Sequence, residues 1–177
     1  MPRKTFEASL EDLNVELIKM GAIVENAINS AIIALKNNDD KLAKEVVDQD
    51  RVIDDMEKDI EAKCLSLILR QQPVACDLRV VSTALKMVTD MERIGDQAAD
   101  IAELVMDFKS DLKYKAIEHI PAMAEAAVSM VHGAIAAFVN NDMEAAREII
   151  KKDDIVDELF EKVKSDVSLS LQADVKN

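Results

Sequence analysis

"VNNDMEAAREIIKKDDIVDELFEKV", from Val139 to Val163, repeats a stretch the chain has already used, "KNNDDKLAKEVVDQDRVIDDMEKDI" from Lys36 to Ile60. A shift of 103 residues lays Asn37 on Asn140, Asn38 on Asn141, Asp39 on Asp142, Ala43 on Ala146, Glu45 on Glu148, Asp50 on Asp153 and Asp54 on Asp157. Other pairs are conservative, among them Val46 with Ile149, Ile53 with Val156, Met56 with Leu159 and Ile60 with Val163. Self-similarity at a fixed spacing is the signature of a duplicated structural unit. What was duplicated follows from the apolar pattern on either side.

Upstream, Leu10, Leu13, Leu17, Met20, Val24, Ile28, Ala31 and Leu35 recur in alternating steps of three and four, a coiled-coil-like helical seam. Asn37 and Asn38 suit a helix C-terminal turn, and Asp39 or Asp40 suits the N-cap of the next helix. That second helix carries Leu42, Val46, Ile53, Met56, Ile60, Cys64 and Leu67 and ends at Pro73, which can open the next one. The third carries Ala84, Met87, Met91, Ile94, Ala98, Ile101, Val105 and Phe108. Helices of roughly 30 residues, about 45 Å each, joined by short turns form an antiparallel bundle. A fourth segment begins near Pro121 with Met123, Ala127, Met130, Ala134 and Phe138 on one side. The expectation is an all-α protein of tandem three-helix bundles, residues 1–110 forming the first and 111–177 helices four and five of the second. The counterpart of the third helix would begin near residue 180, beyond Asn177, so the sixth helix is missing from this chain. Two helices alone cannot cover their apolar faces, so a fragment is the favoured explanation and a partner subunit the other.

Composition agrees with helices: 49% of the 177 residues are apolar, with three Gly, three Pro and no Trp. Net charge is −13 without a Lys/Arg-rich run, which argues against nucleic-acid binding. Cys64 and Cys76 lie outside any metal-binding spacing and read as small core residues. His119 and His132 read as surface or packing residues. The N-terminus has no apolar signal segment and no uninterrupted apolar run reaches 18 residues, so a soluble cytoplasmic protein is expected.

One stretch asks for a ligand. In "DMERIGDQAADIAE", Asp90 to Glu103, Glu92, Asp96 and Asp100 follow one another at i,i+4 spacing, where like charges repel. A hairpin turn centred near Pro73 sets Asp50 opposite Asp96 and Asp54 opposite Glu92, so acidic pairs from two helices converge. Arg93 can reach Asp96 and Lys58 can reach Asp54, which leaves little compensating charge. Hard oxygen donors of this kind suit Mg, Ca, Mn or iron. Gly95 inside the motif costs about 1 kcal/mol against Ala in a helix interior, so close packing or a site should offset it. No nucleophile and base pair and no Gly-rich phosphate loop can be assembled, which speaks against an enzyme.

The run "RQQPVACDLRVVSTALKMVTDMERIGDQAADIAE", Arg70 to Glu103, resembles the PhoU family, marked by Pro-Val-Ala-x-Asp-Leu-Arg, then Asp-x-Glu-Arg-Ile-Gly-Asp and a closing Ile-Ala-Glu. The resemblance extends from "FEASLEDLNVELIKMG" through the duplicated unit. It implies tandem bundles of long, spectrin-like antiparallel helices and a regulator of phosphate uptake. Such a regulator acts with the phosphate ABC transporter ATPase and the phosphate-sensing histidine kinase as a negative regulator when phosphate is plentiful. It further implies a homodimer, membrane association only through partners, and a multinuclear metal site, iron first and otherwise Mn, Zn or Mg. The implied ligands are Asp50, Asp54, Glu92, Asp96 and Asp100, with Asp153 and Asp157 in the second unit. The second Glu-Arg-Ile-Gly-Asp motif is not in this sequence. A metal-dependent helical-bundle enzyme and an accessory protein of a low-affinity phosphate permease are the alternatives.

Overall fold

A computed structural model describes residues 2–107 and 118–174. Among the described residues every regular element is an α-helix: α1 (Pro2–Asn37), α2 (Asp40–Gln71), α3 (Ala75–Asp107), α4 (Ile120–Val139), α5 (Met143–Lys151) and α6 (Asp153–Asp174). Five helices are expected from the sequence, and the fifth is interrupted once, at Lys152. There the backbone closes with tighter bonds, the Lys152 N–H donating to the Ile149 carbonyl and the Ile155 N–H to the Lys152 carbonyl.

Helices α1, α2 and α3 pack on one another as a bundle. The expected seams are its core: Leu13, Leu17, Met20, Val24 and Ala31 of α1, Val46, Ile53, Ile60, Cys64 and Leu67 of α2, and Ala84, Met91, Ala98 and Val105 of α3 are all buried. Phe108 and the expected boundary at 110/111 lie outside the described residues.

The two turns of the repeated stretch have the same construction. Asn38 and Asn141 both take φ of 52°, the left-handed conformation that stops a helix. The N–H of Asp39 then donates back to the Ala34 carbonyl and that of Asp142 to the Ala137 carbonyl. Asp39 caps α2 by accepting from the N–H groups of Lys41 and Leu42, and Asp142 caps α5 by accepting from Glu144 and Ala145. The α2–α3 turn differs from expectation: Gln72, at φ 44°, ends α2, and Pro73 stands outside α3 instead of opening it.

Helix α4 packs on α1, and α5 and α6 pack on α4. A Cβ at Gly21 would collide with the Ile135 side chain, and one at Gly133 with Ile149, so two glycines permit these approaches. His132 Nδ1 also lies 3.1 Å from Glu25 Oε1, joining α4 to α1. The seam expected on α4 is rotated. Ala124, Ile135 and Ala137 are the buried residues, whereas Ala134 is exposed, because α4 turns its closest face to α1. Met143, Ile150, Ile155 and Phe160 leave an exposed apolar surface on α5 and α6.

Thr5–Asn37 and Ile120–Val139 are long and apolar enough to cross a membrane by length and composition. Neither is an uninterrupted apolar run, because polar residues punctuate both. In α1 the apolar side chains form the bundle seam.

Candidate metal centre

The α2–α3 turn fixes an antiparallel register that brings Ile53 of α2 against Gly95 of α3. Ile53 is 1% exposed, and a Cβ at Gly95 would stand 2.8 Å from its Cδ1 and 3.1 Å from its Cγ2. Only glycine lets the two backbones come this close without displacing that side chain. The next residue along each chain is acidic, Asp54 beside Ile53 and Asp96 beside Gly95, and Asp50 lies one turn before Asp54.

Asp50, Asp54 and Asp96 each offer a carboxylate oxygen, and these oxygens lie within 4.8 Å of one another. A hard cation with bonds of about 2.0 to 2.6 Å spans such a set. All three residues are partly buried, and Asp50 Oδ1 is a buried oxygen without a hydrogen-bond partner. A buried carboxylate oxygen left unsatisfied is costly unless something cationic or hydrogen-bonding meets it.

The electrostatics agree. Burial, followed by the carboxylates of Asp96, Asp54, Asp100 and Glu103, raises the pKa of Asp50 above its ordinary value. Glu92 is raised by burial and then by Asp96, Glu57, Asp54 and Asp50. The basic side chains expected to relieve this crowding point elsewhere: Arg93 pairs with Asp90 at 3.8 Å, not with Asp96, and Lys58 pairs with Asp55 at 3.9 Å, not with Asp54. Both choose the carboxylate three residues before them on their own helix, which is nearer to solvent than the packed face. Among the described residues no cation pairs with Asp50, Asp54, Glu92 or Asp96.

Of the remaining expected ligands, Glu92 borders the triad, and Asp100 is exposed and accepts a hydrogen bond from Gln97 at 3.3 Å. Asp153 and Asp157 are exposed on α6, apart from the triad, and join no group of three close donors among the described residues. Glu57, absent from the sequence expectation, contributes to the field at Glu92. Its spacing of three from Asp54, on the same helix face, is the signal that would have found it. Cys76 is exposed, contrary to the core role read from its sequence, because it lies in the first turn of α3, beyond the seam.

The chain matches the PhoU domain over residues 17–105 and 120–177. It is 39% identical over 164 residues to a phosphate-specific transport system accessory protein PhoU homolog of Clostridium acetobutylicum, an alignment covering 92% of this chain and 75% of that protein. The accessory protein PhoU of Escherichia coli K12 is 32% identical over 88% of this chain and 65% of its own length. Among solved structures, PhoU from Pseudomonas aeruginosa superposes with a TM-score of 0.89 at 30% identity, covering 97% of this chain and 82% of that one. The phosphate transport system regulatory protein PhoU from Streptococcus pneumoniae gives 0.86 at 26% identity, covering 96% and 79%. With the family domain spanning most of both described segments, this chain belongs to the PhoU family.

Proposed function

We propose that this protein is a non-enzymatic regulator of phosphate uptake and phosphate-starvation signalling, a metal-binding adaptor between a phosphate ABC transporter and a phosphate-sensing histidine kinase. The phosphate-transport role is supported by relatives named as accessory proteins of the phosphate-specific transport system. The observation that carries metal binding is the triad of Asp50, Asp54 and Asp96 with its orphaned buried oxygen.

In this reading Asp50, Asp54 and Asp96 hold the first cation, and Glu92 and Asp100 border the place where a second would complete a multinuclear site. Iron, Mn or Mg suits these oxygen donors, and Zn accepts them also. A bound cation supplies compact positive charge that lets the crowded carboxylates stay ionised at neutral pH. Asp50 and Asp54 fix the donors on α2, Asp96 fixes the third on α3, and the Gly95–Ile53 contact sets their spacing. Charge on that face then governs the rate and specificity of docking to the transporter ATPase and the kinase more than affinity. Asp153 and Asp157 belong to the duplicated position on the second unit, residues 111–177, as ligands of a second site. A cytoplasmic homodimer completes the proposal, with the exposed apolar surface of α5 and α6 as one face it can cover.

Elemental analysis of protein purified without chelators, beside the Glu92→Ala/Asp96→Ala variant, tests the site. Stoichiometric metal that disappears in the variant is expected, and absence of metal from the wild type rejects the metal-bearing part. Loss of a direct ligand should weaken binding at least as much as the 10- to 100-fold typical of an outer-shell change. Pull-down of the transporter ATPase and the kinase by wild type and variant tests the adaptor role separately. Oxidase or phosphatase turnover by the metal-loaded protein would favour a helical-bundle enzyme instead.

A further inference from the structure

The acidic face of this molecule has a counterpart at the other end of the same hairpin. Around the α2–α3 turn, Leu65 and Leu69 stand one helical turn apart on α2, 52% and 78% exposed. Val74 and Leu78 stand one turn apart at the start of α3, 71% and 41% exposed. From Cys64 to Leu85 the only charged residues are Arg70, Asp77 and Arg79. Both arginines are exposed, and neither pairs with a carboxylate among the described residues. The Glu16–Lys63 pair at 3.9 Å reflects the antiparallel register of α1 on α2, which brings the start of α1 to this end. In a chain of net charge −13 the turn segment itself, with Arg70 and Arg79 against Asp77, carries a small positive excess beside its exposed aliphatic side chains.

We propose that the α2–α3 turn end is a membrane-docking surface that binds the anionic headgroup layer of a phospholipid bilayer, a contact of the chain's own beyond any made through partners. The layout suits that occupant. Leu69 and Val74 at the turn can enter the boundary between headgroups and acyl chains while Arg70 and Arg79 stay level with the phosphates. Protein partners commonly gain their affinity from aromatic anchors seated in fitted pockets. This end projects small aliphatics and no aromatic residue between Cys64 and Leu85, a diffuse match to a sheet of negative charge. The acidic triad does not oppose it. Val74 and Asp96 are 22 positions apart on one hairpin arm, about 33 Å at 1.5 Å per residue, some four screening lengths at physiological salt.

Co-sedimentation of the full chain with phosphatidylcholine vesicles, with and without phosphatidylglycerol, tests the proposal. Binding is expected only when phosphatidylglycerol is present, and it should weaken as salt is raised. Arg70→Gln/Arg79→Gln and Leu69→Asp/Val74→Asp should each lower it about tenfold or more. Leu104→Asp, at an exposed leucine far along α3, should bind as wild type does. All substituted positions are exposed, and unchanged helicity and urea midpoints confirm that each variant is folded. Failure of the wild type to bind the anionic vesicles, or equal binding by the turn variants, overturns the proposal and leaves this end to a protein partner.

Discussion

Gly95 of α3 lies so close to Ile53 of α2 that a Cβ there would stand 2.8 Å from Ile53 Cδ1 and 3.1 Å from Cγ2. Two effects compete in Gly95→Ala. Alanine gains about 1 kcal/mol of helix propensity, while overpacking a filled core costs about 1 to 3 kcal/mol. Cδ1 can swing aside, but Cγ2 is tied to the branch next to the backbone, so the crowding wins. Gly95→Ala is expected to lower stability by about 1 kcal/mol, read as a reduced urea midpoint at unchanged slope. Adding Ile53→Val removes Cδ1 and should recover part of the loss. A variant more stable than wild type would show that the crossing has slack and that Gly95 does not set the spacing of the acidic triad.

The same crossing makes stability depend on pH. Asp50 and Glu92 have pKa values raised above the ordinary 3.8 and 4.5 by burial first and neighbouring carboxylates second. An acid with a higher pKa folded than unfolded binds protons more readily when folded, so its ionisation opposes folding. That penalty is fully present above the folded pKa and is relieved as pH falls through it towards the ordinary value. Chelator-treated protein should therefore gain stability from these two groups as pH drops from neutral into the upper carboxylate range. Asp50→Asn should be more stable than wild type at neutral pH, with the difference shrinking in that range. Urea titrations of both proteins at several pH values check this, and a constant difference would contradict it.

The two cysteines separate by environment. Cys64 is buried, and burial, then the Glu61 carboxylate, pushes its thiol up to about 11, whereas Cys76 is exposed. Because the thiolate is the reactive form, native protein treated with a maleimide should be labelled at Cys76 alone, with Cys64 reacting only in denaturant. Mass spectrometry of the labelled peptides reads the outcome. Rapid native labelling of Cys64 would show that α2 opens at its seam.

The features legible in the sequence are those set by local chemistry or by a single register. The seams of α1 to α3 could be read because a helix buried on one stripe repeats its apolar residues every three or four positions. Asp39 could be read as a cap, and Pro73 as the centre of a turn that sets Asp50 near Asp96, because both follow from short-range geometry. The partners of Arg93 and Lys58 could not. Each has carboxylates at several helical spacings, and the choice depends on which face solvent reaches. The α4 seam is not legible for a different reason. Its Ala-rich sequence offers several stripes of similar apolarity, and only the Gly21–Ile135 and Gly133–Ile149 approaches select one. Cys76 fell outside the seam because the seam begins only at Val81.

The duplicated turns give a test of how far the two units depend on each other. Asp39 and Asp142, 103 residues apart, each accept two backbone N–H groups at the start of a helix, at 3.0 and 3.1 Å in one case and 2.9 and 3.0 Å in the other. Replacing an aspartate N-cap by alanine typically costs about 1 kcal/mol. Asp39→Ala acts on α2, which is packed between α1 and α3, so it should lower the main unfolding transition by about that amount. Asp142→Ala acts on α5, which has no fully buried residue, so its effect should fall on local opening of the segment from α5 into α6. Amide hydrogen exchange should show faster exchange there in Asp142→Ala, with α1 to α3 protected as in wild type. Equal loss of protection in all helices would mean that the α4 contact with α1 couples both units into one cooperative structure.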